Sequence, residues 1–350
     1  MKARISSIAG EIPAPERTRT SSASLGSVLH ALQRALLALF AGRSRIVLIA
    51  MGADLLVAML KFAVARQTGS SAIYAEALHS LMDAATEVAL LYGLAAARRP
   101  ATVRHQLGYG REVYFWSFVA ALMIFAGGAG SAVHDGLAQI MNPQPIRQVS
   151  LSYAVLLISL VIEVLSTAYA LTHAAGTRSP RGWLGFIAND GDSSSSTVLL
   201  GGLAAIVGLA LAAGGLGLGL ALDKPALDGV ASLGIAVVLA LTALVLAAQG
   251  RSLLIGRAAS AAKSRSIVSQ AATIPGVEAV NGAITVRLSP EQLLVALSVV
   301  FDPALRAPEI EAVTAAIDTG VKAQHPDVVA IFVKPQSRGR YAHLSAARGW

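Results

Sequence analysis

Cysteine is absent from the 350 residues, which excludes disulfides, thiolate metal sites and a cysteine nucleophile. Charged residues are scarce too, at 14% against about 25% in ordinary soluble domains, so much of the folded surface cannot face water. The 6 methionines are scattered and trace no path for a soft metal. Gly108 and Gly110 match no phosphate-cradling spacing, so no nucleotide site is expected. No nucleophile–base pair or cofactor motif stands out, which argues against an enzyme and against a prosthetic group. No secretory signal is evident in Met1–Ala41, where Arg, Pro and Ser are scattered and no small-residue cleavage site follows a leading apolar core.

What the chain has in excess is hydrophobic sequence, 55% of residues, with a mean hydropathy of +0.62. The excess sits in long runs between Ile46 and Ala248. A bilayer core needs about 20 apolar residues per helix, and six segments qualify: 46–65, 71–96, 113–140, 150–174, 194–220 and 226–248. The chain reads as a six-helix membrane bundle over residues 45–258. A tail over 1–44 precedes it, partly disordered, in which Val28–Phe40 reads equally as a surface helix or as more tail. The net charge of +8 does not point to nucleic acid, because the basic residues gather at helix ends. Arg43 and Arg45, the Arg98–Arg111 loop, Arg178 with Arg181, and Arg251, Arg257 and Lys263 all fall on one side. The positive-inside rule places that side, and both termini, in the cytoplasm. Residues 262–337 read as a soluble α+β domain in αββαβ order, with a tail over 338–350.

Ionisable groups at membrane depth cost about 2.5–3.5 kcal/mol each on insertion scales, so they line a pathway or pair with one another. His79 and Asp83 in the second span are four residues apart and share a helix face. An imidazole and a carboxylate at that spacing make half of a tetrahedral site for a borderline divalent ion such as zinc, or simply a hydrogen-bonded pair inside the bundle. Glu76 and Glu87 extend the stripe by a turn each way. Asp54 and Glu163 lie deep in spans one and four, whereas His134, Asp135 and Asp228 sit near span ends. Asp192 precedes span five, where it reads as a helix N-cap with Asp190 beside it in the loop.

Together these residues resemble the cation diffusion facilitators. The similarity rests on Thr68-Gly69-Ser70-Ser71-Ala72, on Glu76, His79 and Asp83, and on His105-Gln106-Leu107-Gly108-Tyr109-Gly110-Arg111-Glu112. Glu163, Leu227-Asp228-Gly229, Leu253-Leu254-Ile255-Gly256 and Pro275-Gly276-Val277 follow in order. The match is closest to the branch with an H-x-x-G-Y-G-R-E loop and covers about residues 45–335. The resemblance implies a homodimeric transporter of zinc or a similar divalent cation. It would exchange metal for protons in a bilayer of the bacterial inner-membrane type, and would carry a ferredoxin-like cytoplasmic domain. It also implies that His79 and Asp83 are metal ligands, completed by an acidic residue from span five.

That last element departs from the pattern. The branch has T-V-L-x-E-D-x-A-A-x-x-G, and here Thr197-Val198-Leu199-Leu200-Gly201-Gly202-Leu203-Ala204-Ala205 puts glycines where the acidic pair belongs. A second alignment makes Asp192 the span-five carboxylate and leaves Ala188 one turn earlier. Thr86 and Glu87 stand where Asn and Gln are usual, and Asp54 where Asn is common. The metal candidates are therefore His79, Asp83, Asp192 and Asp54, with Asp54 or Glu87 as relocated carboxylates. The competing expectation is a transport-inactive member that keeps the fold as a scaffold or heterodimer subunit.

Overall fold

The computed structural model describes residues 43–68, 71–143, 148–174 and 193–348. The segment expected to hold Val28–Phe40 as a surface helix, and the loop bearing Asp190 and Asp192, lie outside the described residues. The six apolar segments form six long helices: Arg43–Thr68, Ser71–Ala97, Glu112–Met141, Val149–Ala174, Ser193–Ala221 and Ala226–Ile255. Each is long and apolar enough to cross a membrane. Span six runs on to Ile255 instead of stopping near Ala248. Gln249-Gly250-Arg251 resembles a loop start, but Leu253 is buried in the bundle core and holds the last turn, until Gly256 ends the helix at φ +120°.

The helices close a ring in which span one contacts two, two contacts three, three contacts six, six contacts five, five contacts four and four contacts one. The ring is inside-out relative to a soluble protein. Leu56, Met59, Leu157, Leu165, Val237 and Leu241 are exposed on its outer surface, while Asp54, Lys61, Thr86, Glu87, Glu163 and Thr167 are buried within. An outer surface of that kind is stable against lipid, and the interior polar groups then have only one another, or a permeating ion, to pair with. Spans three and six meet at Gly136 and Gly229. A Cβ on Gly229 would lie 2.7 Å from the Gly136 carbonyl and 2.8 Å from Ile140 Cγ1, so the backbones touch there as they do at small-residue membrane crossings. Span three is not uniform, because Ile124–Ala129 forms a π-helical segment between its α-helical halves.

The soluble domain has the order helix Ala261–Ala272, β1 Val277–Ser289, β2 Gln292–Phe301, helix Ala307–Gln324, β3 Val328–Pro335. β1 and β2 pair antiparallel across the Pro290-Glu291 turn, and β2 pairs parallel with β3, giving the sheet order β1-β2-β3. This is the expected αββαβ arrangement. Leu293, Val295, Leu297 and Val299 alternate along β2 and face the core beneath the helices, with Ile267, Ile317 and Val321. The stretch read as a tail carries a further helix, Arg338–Arg348, whose Tyr341 packs over Gly282 of β1.

Because Gly229 abuts fixed backbone, Gly229→Val is expected to destabilise the bundle by about 1–3 kcal/mol, the usual cost of overpacking. A lowered unfolding midpoint for the purified protein in detergent would register it, and an unchanged midpoint would place spans three and six further apart.

Candidate metal-binding site

His79 and Asp83 lie one turn apart on span two, with His79 Nε2 3.5 Å from Asp83 Oδ2. Their side chains are 13% and 24% exposed. The π segment of span three lies against this turn: a Cβ on Gly128 would come within 3.5 Å of the His79 ring, and one on Gly127 within 2.6 Å of Met82 Cε. Glycine at 127 leaves the space that Met82 fills, and Gly128 lies in ordinary van der Waals reach of the imidazole. Nδ1 of His79 is buried and lacks a hydrogen-bond partner. One turn before Asp83, Ser80 accepts a hydrogen bond from the buried Lys61 Nζ at 3.0 Å.

A turn or more further along the bundle, Asp54 from span one, Glu87 from span two and Glu163 from span four are 8%, 6% and 8% exposed. Asp54 is within hydrogen-bonding reach of both glutamates. Carboxyl groups in such contact need a proton or a cation between them, since two ionised carboxylates have only acceptors to offer. The three line one cavity of about 30 Å³ with Asp83, Thr86, Thr167, Thr197, Gly201 and Gly202. That is room for a water molecule or an ion.

The sequence candidates therefore divide. His79 and Asp83 meet; Asp54 and Glu87 meet with Glu163, and Asp83 borders both groups. The side chain of Glu76 and the whole of Asp192 lie outside the described residues. His134 and Asp135 pair with each other at 3.2 Å on an exposed edge. Among the described residues, no three His, Asp or Glu side chains are arranged to hold one ion.

Sequence reasoning overlooked two residues. Lys61 lies seven positions after Asp54 on the same helix, a spacing that returns to one face and could have been noticed. Thr167 had no signal in the sequence alone. A Cβ on Gly202 would collide with Thr167 Oγ1, while a Cβ on Gly201 would meet nothing within 4 Å. Thr167 of span four thus occupies the space a span-five side chain at 202 would need.

Residues 47–255 match the family model for the cation efflux transmembrane domain. The chain belongs to the cation efflux family, the cation diffusion facilitators. These are transporters and not enzymes, and the chain is an integral, multi-pass membrane protein. It is 27% identical over 242 residues to the mitochondrial proton-coupled zinc antiporter SLC30A9 of Xenopus laevis, covering 69% of this chain and 43% of that protein. It is 32% identical over 216 residues to metal tolerance protein C4 of Arabidopsis thaliana, covering 61% and 47%. A probable cation efflux system protein of Mycobacterium tuberculosis is 34% identical over 95 residues, 27% of this chain and 28% of that one. The chain thus spans less than half the length of the first two relatives.

The packing at the span-five glycines can be tested by a double-mutant cycle. Gly201→Ala should be neutral or stabilising, by up to about 1 kcal/mol from helix propensity. Gly202→Ala should destabilise by about 1 kcal/mol as Thr167 is driven off its rotamer, and Thr167→Ala should remove that penalty. Additive single effects in thermal melts would show that the two positions do not touch.

Proposed function

We propose that this protein exports a divalent transition metal, with zinc the first candidate, by proton-coupled alternating access. The observation that carries the reading is the His79–Asp83 pair. A separation of 3.5 Å is long for a hydrogen bond but close to the about 3.4 Å that two donors keep across a tetrahedral zinc bonded to each at about 2.05 Å. Imidazole binds the ion in its neutral form and aspartate as carboxylate. Protons compete for both groups, which couples metal release to proton uptake. Two protein ligands are fewer than zinc usually takes, so a further carboxylate, Asp54 or Asp192, and water complete the set. The names of relatives that describe zinc and proton coupling support the choice of ion and counter-ion.

The orientation follows from charge. Arg98, Arg99, Arg104 and Arg111 join spans two and three, and the soluble domain lies beyond Arg251 and Arg257, so both termini are assigned to the cytoplasm of a bacterial-type inner membrane. We further infer a homodimer. Ile284 and Phe332 are 41% and 59% exposed, and both pair with Ala296 of β2, which sets an apolar row on the sheet face opposite the helices Ala261–Ala272 and Ala307–Gln324.

A second reading is a transport-inactive subunit that keeps the fold, favoured by Gly201-Gly202 at the span-five position. Zinc flux into liposomes carrying the purified protein separates the two. Transport is expected for the wild type and a loss of about tenfold or more for His79→Ala and Asp83→Asn. Asp54→Asn should be as damaging as Asp83→Asn if Asp54 is the third ligand; if instead Asp192→Asn abolishes flux and Asp54→Asn does not, the ligand is Asp192. Absence of flux from the wild type would leave the scaffold reading.

Topology can be read in the same cysteine-free chain. Val103 and Asp223 lie in exposed turns at opposite ends of the bundle, so Val103→Cys should react with a membrane-impermeant thiol reagent only after lysis and Asp223→Cys in intact cells. The reverse pattern would invert the orientation.

A further inference from the structure

The cavity beside Gly201-Gly202 holds more negative charge than the His79–Asp83 pair needs. Asp54, Glu87 and Glu163 converge on it from three helices. Two buried polar atoms on its wall have no partner: Thr86 Oγ1, on a residue 4% exposed, and Glu87 Oε2, on a residue 6% exposed. An unpaired hydroxyl at membrane depth is costly, and a bound ligand would supply its partner. Lys61, hydrogen-bonded to Ser80, lies close enough to Glu163 to balance part of the charge, one cation against three carboxyl groups. The other polar side chains on the wall are Asp83, Ser166, Thr167 and Thr197, among apolar residues such as Leu90 and Ile124, so every side-chain donor atom here is oxygen.

We propose that Asp54, Glu87 and Glu163 form a second cation seat, next to the His79–Asp83 pair, that takes a hard divalent ion such as Mn2+ through oxygen donors alone. Oxygen-only sites suit Mn2+, Mg2+ and Ca2+, whereas an imidazole shifts preference toward zinc. A cavity of about 30 Å³ admits an ion with at most a water or two and no organic substrate. In the arrangement seen here Asp54 turns toward Glu87 and Glu163, and no three carboxyls yet surround one point. A cation bound among them supplies the compensating charge and draws the unpartnered Glu87 Oε2 and Thr86 Oγ1 inward. Asp83 belongs to the pair and also lines the cavity, so the two seats adjoin. The inference deepens the transport reading and rests on it for its purpose, but binding at this seat is measurable without transport.

Titration of Mn2+ into the purified full-length protein, followed by the paramagnetic resonance signal of free Mn2+, tests the seat, with Zn2+ binding measured in parallel. Glu87→Gln and Glu163→Gln should each weaken Mn2+ binding about tenfold or more, and Glu163→Gln should leave Zn2+ binding within about threefold, a shift under 1 kcal/mol. His79→Ala should do the opposite. Thr86→Val, which keeps the side-chain shape, should weaken Mn2+ binding a few-fold and serves if a glutamine variant fails to fold. The proposal is overturned if His79→Ala abolishes Mn2+ binding, if none of the three cavity variants alters it, or if the wild type binds no Mn2+. If zinc binding survives His79→Ala while Mn2+ binding follows the glutamates, the second seat stands and the His79–Asp83 reading fails.

Discussion

A carboxyl group inside a membrane bundle must be paired, because the low dielectric around it returns none of the hydration it has lost. Four such groups, Asp54, Asp83, Glu87 and Glu163, line one cavity here. The rest of the bundle can be understood as the arrangement that makes this possible. The exposed leucines and valines turn outward to lipid, which leaves the interior of the ring to polar groups. Lys61 supplies one compensating charge near Ser80. The remaining compensation must come from protons or cations, and a chamber that is stable only when it holds a positive charge is the physical core of a cation pathway.

The local backbone features cluster around that chamber. Where His79 presses against span three, the helix loosens into a π segment with glycines at 127 and 128, a local geometry that recurs at functional sites. A side chain at 127 would displace Met82. At the end of the bundle nearest the soluble domain, Gly110 of the loop between spans two and three packs against the β1–β2 turn: a Cβ there would come within 2.9 Å of Leu288 O and 2.8 Å of Gln292 Oε1. The loop that follows the span bearing His79 and Asp83 is thereby in direct contact with the soluble domain.

How much of this was legible in the sequence varies with the kind of signal. The spans declare themselves through length and apolarity, and the soluble strands through alternation, as at Leu293, Val295, Leu297 and Val299. The pairing of His79 with Asp83 follows from helical spacing alone. Three things were not legible. The π segment has no periodicity of its own, and Gly127-Gly128 resembles any small-residue helix contact. The helix at Arg338–Arg348 is polar, so it is visible only once Gly282 offers Tyr341 a place to pack. The convergence of Asp54, Glu87 and Glu163 depends on which helices are neighbours, and ring order is a tertiary fact that no single span records.

The glycine pair in span five shows why ring order matters. Taken along one helix, Gly201-Gly202 is a lost carboxylate pair, and decay of the site is the natural conclusion. Around the ring the account changes. The space at 202 is filled by the Thr167 hydroxyl from span four, while carboxyls at 54 and 87, where amides are usual, face the same cavity. Simple decay would leave the bundle short of carboxyl groups. Instead Thr167 takes the space at 202, the space at 201 stays open to the cavity, and carboxyls from neighbouring helices line it. That balance supports the proposal of a site rebuilt from different spans. A rebuilt site carries a chemical consequence: exchanging amides for carboxylates on spans one and two hardens the donor set, so the ion preferred at this depth need not be the one that the His79 imidazole selects.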